Sequence, residues 1–285
     1  MSVLDPLFES ACFLSWSVSL VVWAPEVCFR LCLAPEPVMR FLFLLLLALT
    51  GLNPAAAQTL DVAAAASLTE AMGDLARAFE ATRPGVKVQV RFGASGVLLQ
   101  EIAAGQRADV FASADADTLA RGIQRRLLVS DAQRDFATGR LVLIVPADRH
   151  ASVQRLQDLA RPEIRRIAMG RTATVPAGRY ARQAIDALRL WPSMQQKIVA
   201  GDSVRAVLEA VASGDADAGF VYATDAALAG PRVRVVQLLD TATPVRYPAT
   251  IVAASGQPAL ARDFVLFLNQ PAARALFARH GFGAP

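Results

Sequence analysis

The feature that most restricts the fold is a regular exchange between two hydrophobic periods, which begins near residue 58 and runs to the C-terminus. Residues 60–65 read as a buried strand. Leu68, Met72, Leu75 and Phe79 then follow at spacings of four, three and four, giving one helical face that Arg83, Pro84 and Gly85 bring to an end. Next, Val86, Val88, Val90 and Phe92 alternate with Lys87, Gln89 and Arg91, the period of a strand. The rhythm continues with strands at 109–115, 141–146, 166–170 and 218–222, and with helices over about 178–188 and 204–212. Such alternation predicts an α/β fold of mixed, mostly parallel sheets with helices on both faces.

Ahead of this region, Arg40 precedes an apolar run over 41–49 and the small residues Ala55, Ala56 and Ala57, the pattern of a secretory signal cleaved after Ala57. As a membrane anchor the run is too short, since a bilayer needs about 20 apolar residues. Residues 1–38 make an unusually long leader, so Met39 is the expected start. All three cysteines (Cys12, Cys28, Cys32) lie upstream of Ala57, so the mature chain is expected to have no disulfide, thiol nucleophile or cysteine metal site. The formal net charge of +4 becomes +6 on cleavage, because the leader holds four acids and two arginines. The remaining arginines are dispersed, which argues against nucleic acid and suits an anionic ligand or surface.

Four junctions where a strand hands over to a helix share one chemistry: residues 65–69, 92–97, 174–180 and 201–205. Each sets small or hydroxyl side chains where the N–H groups of a helix start lack partners, and such ends attract anions. Ordinary capping explains each junction singly. Ser67 with Glu70 fits a capping box, Ser95 an N-cap, Pro176 a first turn, and Asp202 or Ser203 another N-cap. Local sequence does not separate a cap from a ligand contact. The short side chains at 63–66 suit either close packing or close approach of the backbone to a bound ion.

The motifs AAASLT (64–69), FGASG (92–96), ADVFASAD (108–115), VPAGRYA (175–181), DSVRAVL (202–208), GFVYATDA (219–226), YPATIV (247–252) and HGFG (280–283) occur together in order. In this the chain resembles the periplasmic molybdate-binding proteins of ABC transporters, from about residue 59 onward. The resemblance implies a two-lobed periplasmic-binding-protein fold of type II, with the ligand in the cleft between lobes. One lobe would comprise 58–139 plus 248–285 and the other 140–247, hinged at 138–143 and 245–250. Ser67 and Ser95 would each give a hydroxyl and a backbone N–H, Ala177 and Val204 a backbone N–H each, and Tyr222 its phenol. These donors match a tetrahedral dianion, molybdate or tungstate, which only accepts hydrogen bonds. Phosphate keeps a proton near neutral pH and would leave a donor unpaired.

The same resemblance implies a periplasmic monomer with no cofactor, which delivers its ligand to a membrane permease and ATPase subunits of an ABC importer and catalyses nothing. Where relatives carry an acidic or proline-containing turn, this chain has Arg171, either a solvated rim residue or an added attraction for anions. Asp109, Asp115 and Asp225 read as caps of strand ends. Another oxyanion such as sulfate remains an alternative. A secreted serine hydrolase is a remoter one: the turn around Ser95 lacks the second glycine of G-x-S-x-G, and only His150 and His280 could serve as its base. No paired histidine spacing or phosphate-binding glycine loop is present, so neither a bare metal cation nor a nucleotide is expected.

Overall fold

The computed structural model describes residues 58–148 and 153–285. The expected signal peptide, its cleavage site and His150 lie outside the described residues. The described residues form one compact unit, built on two five-stranded sheets.

The first sheet is ordered β2-β1-β3-β10-β4, from strands β1 (Gln58–Ala65), β2 (Val86–Gly93), β3 (Val110–Ala112), β4 (Arg134–Gly139) and β10 (Val245–Ile251). The second is ordered β7-β6-β8-β5-β9, from β5 (Leu141–Pro146), β6 (Ile167–Gly170), β7 (Ile198–Gly201), β8 (Ala218–Tyr222) and β9 (Val233–Leu239). In each sheet four of the five strands run the same way. The reversed strands are β10, antiparallel to both β3 and β4, and β5, antiparallel to both β8 and β9.

Both reversals follow directly from the chain's two crossings. It leaves the first sheet at β4, enters the second at β5 with only Arg140 between, and returns from β9 into β10. β10 therefore begins before residue 248 and straddles the boundary expected there. Strand β5 is buried along its whole length, as a strand covered on both faces must be.

Helices fill the crossovers: α1 (Thr69–Ala81), α2 (Ser95–Ala103), α3 (Ala116–Gln124), α4 (Pro176–Ala187), α5 (Val204–Ala212) and α6 (Ala223–Ala229), with α7 (Pro258–Phe267) and α8 (Pro271–Arg279) closing the chain. The periodic face of α1 is buried as its spacing predicts, with Met72, Leu75 and Phe79 inaccessible to solvent. Each such side chain contributes roughly 1.5–3 kcal/mol by leaving water. Strand β3 is shorter than the strand expected over 109–115, because the chain turns at Ser113 to cap α3 through Asp115.

Candidate functional site

Six segments at the C-terminal ends of parallel strands converge on one pocket. In α/β sheets these ends, followed by helix starts, are where ligands bind. From the first sheet come Ser67 after β1, Ser95 after β2 and Ala114 after β3. From the second come Ala177 after β6, Val204 after β7 and Tyr222 at the end of β8. The remaining lining is alanine, glycine, valine and proline, so no charged side chain lines the space. All five residues expected as anion donors therefore line a single cavity, which Ala114 joins as a residue the sequence did not single out.

The local structure departs from simple capping at both serines. Ser67 lies in a 3-10 turn, Ala66–Leu68, and its side chain caps nothing; instead Thr69 Oγ1 donates to the carbonyl of Ala66 at 2.7 Å. Ser67 is 3% exposed and its hydroxyl has no hydrogen-bond partner. Ser95 is the first residue of α2 rather than its cap, and its Oγ accepts from the Ala114 N–H at 3.1 Å. With that lone pair engaged, the Ser95 proton remains available for a ligand. By contrast, α4 starts at Pro176 and α5 is capped by Ser203, whose Oγ accepts from the Ala206 N–H, both as the sequence predicts.

Contacts across the cleft hold the two sheets' helices together. The Gly96 N–H donates to the Thr174 carbonyl at 2.9 Å, and the Tyr222 hydroxyl donates to the Ala114 carbonyl at 3.3 Å. Arg179 on α4 donates to Asp115 Oδ2 at 3.0 Å and also to Thr118 Oγ1. Arg205 on α5 donates to Glu70 on α1 at 3.1 Å and lies 2.8 Å from Asp225 at the start of α6. Burial raises the Tyr222 phenol well above its ordinary range, so it stays a neutral donor at physiological pH.

Burial pushes Glu70 up, but the hydrogen bond and charge of Arg205 outweigh this and hold it below the usual glutamate value. For the inaccessible Asp225 the balance is opposite. Burial prevails over Arg205 and the Tyr222 N–H, raising the carboxyl from 3.8 to about 6. The folded protein thus binds a proton at Asp225 as pH falls through 6, before the unfolded chain does at 3.8. This group alone favours folding at acid pH, and that contribution is lost as pH rises through 6. Asp225→Asn removes it, so urea unfolding at pH 7 and pH 5 is expected to show the variant losing ground to the native protein on acidification. A constant difference between the two proteins would contradict this.

Other expected positions lie away from the pocket. Arg171 is exposed, pairs with Asp202 at 2.6 Å and does not line the pocket. Asp109 accepts from the Asp61 N–H and the Ser255 hydroxyl, while Asp225 accepts from the Tyr222 N–H; Asp115 caps α3 as well as pairing with Arg179. His280 pairs with Asp74 at 2.9 Å and lines a different pocket from Ser95, so it supplies that serine with no base. No helix among the described residues is long and apolar enough to cross a membrane.

The chain's relatives agree with this architecture. Residues 60–283 match the family model for bacterial extracellular solute-binding proteins. A putative ABC transporter substrate-binding lipoprotein, YvgL of Bacillus subtilis, is 33% identical over 79% of this chain and 86% of its own length. The molybdate-binding protein ModA of Haemophilus influenzae is 32% identical over 84% of this chain and 96% of its own. Among solved structures, the substrate-binding domain of a putative molybdenum ABC transporter from Clostridium difficile superposes with a TM-score of 0.61 at 35% identity, over 80% of this chain and 99% of that one. By family model, relatives and fold alike, the chain belongs to the bacterial extracellular solute-binding proteins.

Proposed function

We propose that this protein captures molybdate, and tungstate with it, in the periplasm and hands it to the permease and ATPase subunits of an ABC importer. The observation that carries this reading is the small pocket lined by Ser67, Ser95, Ala177, Val204 and Tyr222 with no charged side chain. Hydrogen-bond donors from hydroxyls and helix starts replace the water around a dianion, aided by the partial positive charge of the helix ends. A neutral lining also avoids burying an arginine, whose own loss of hydration would be costly. Secretion through a signal cleaved after Ala57 delivers the protein to the compartment where such a ligand is met.

Each hydrogen bond to the ion contributes roughly 1.5–3 kcal/mol, or about 10- to 100-fold in affinity. In calorimetric titration of residues 58–285 we expect tight binding of molybdate and tungstate, weak binding of phosphate, and affinities lowered by that factor in Ser95→Ala and Tyr222→Phe. Preference for sulfate would keep the site and change its ion. Absence of heat with every oxyanion would end the reading.

A further inference from the structure

Beside the pocket, the hydroxyl of Tyr247 is inaccessible to solvent and has no hydrogen-bond partner, although a buried unpaired hydroxyl is costly. The Ser67 hydroxyl is also without a partner, and Tyr247 packs against Tyr222, which lines the pocket together with Ser67; burial raises the phenol well above its ordinary range, and the neighbouring Ser67 side chain offsets this only in part. Tyr247 is held firmly. Its ring meets those of Phe282 at 5.2 Å, Tyr222 at 5.7 Å and Phe136 at 6.4 Å between centroids. Gly139 leaves it room, since a Cβ there would lie 3.0 Å from Tyr247 Cε2.

The two serines of the site then differ in one respect. Ser95 Oγ already accepts from a backbone N–H, that of Ala114, which frees its proton to point at a ligand. Ser67 has no such backbone donor on its oxygen. A hydroxyl has one proton and two acceptor lone pairs, so an outside donor on its oxygen directs and strengthens the bond its own proton makes.

We propose that Tyr247 is a positioning residue of the anion site: its hydroxyl donates to Ser67 Oγ, and Ser67 donates its own proton to the bound oxyanion. This inference rests on the oxyanion reading above. It also ties the ligand to β10, the strand on which the chain crosses back into the first sheet, where the register shifts between Tyr247 and Pro248. Arrival of the ion would thereby pair two hydroxyls that otherwise stay unpaired.

The test is a double-mutant cycle read by calorimetric titration of the unit from 58 to 285 with sodium molybdate, comparing native, Tyr247→Phe, Ser67→Ala and the double variant. Tyr247→Phe is expected to weaken binding about tenfold while leaving the melting temperature of the ligand-free protein unchanged or higher, because it deletes an unpartnered group. In the Ser67→Ala background the same substitution is expected to have no further effect. Unchanged affinity in Tyr247→Phe would overturn the proposal, as would an equal loss with and without Ser67, which would mark a merely structural tyrosine. A native protein that binds no molybdate, tungstate or sulfate would instead remove the oxyanion reading, and this proposal with it.

Discussion

Replacing Gly96 with alanine is expected to leave the protein folded and to abolish tight anion binding. A Cβ at this position would lie 2.7 Å from both the Cα and the carbonyl oxygen of Thr174, on the far side of the cleft. Those are backbone atoms, so no side-chain rotation relieves the overlap. The lobes would stop short of full closure, the Gly96 N–H to Thr174 bond would be lost, and donors on opposite lobes would no longer reach one ion together. Losing two charge-assisted bonds at roughly 1.5–3 kcal/mol each lowers affinity on the order of 100-fold or more. Because Gly96 lies in the first turn of α2, alanine there favours the helix by up to about 1 kcal/mol. Titration should therefore show a large loss of affinity alongside equal or greater resistance of the ligand-free protein to urea. A fall in stability matching the fall in affinity would contradict this explanation.

Gly178→Ala is expected to act in the opposite manner, on the fold itself. A Cβ at 178 would stand 1.9 Å from the carbonyl oxygen of Gly170 and 2.6 Å from its carbon, both within the second sheet and its helix. The end of β6 and the first turn of α4 approach so closely that neither can move without the other. Overpacking of well-fitted interiors commonly costs 1–3 kcal/mol, and backbone overlap of this depth lies at or beyond the upper end. For a unit of this size about 3 kcal/mol lowers the melting temperature by roughly 6–12 °C. Thermal unfolding without ligand is the measurement, and an unchanged midpoint would contradict the packing described. The same displacement would shift the neighbouring Ala177 N–H, so the surviving folded protein should also bind its ion weakly.

Much of this architecture was legible in the chain. The apolar period alone locates α1 on Leu75 and Phe79 and the strand β2 on Val88, because burial imposes spacing locally. The five donors were legible only as junctions, since a serine before a helix looks the same whether it caps the helix or faces a ligand. Ser67 illustrates the difficulty: the spacing to Glu70 suggests a capping box, yet Glu70 turns to Arg205, 135 residues away, and Ser67 is left unpaired. Arg179 and Arg205 fall within the motifs at 175–181 and 202–208, but nothing local announces their pairings. Their partners Asp115 and Glu70 are distant in sequence and meet them only once both sheets have formed. The orientation of β5 and β10 was hidden for a related reason, since strand direction follows from where the chain crosses between sheets and not from any residue within the strand.

The most direct test is a crystal structure grown with molybdate, with the metal located by its anomalous scattering. A single molybdenum centred between the two sheets, its oxygens within hydrogen-bond reach of the Ser67, Ser95 and Tyr222 hydroxyls and the Ala177 and Val204 N–H groups, is the result this account predicts. Molybdenum found only elsewhere, or none at saturating concentration, would contradict it.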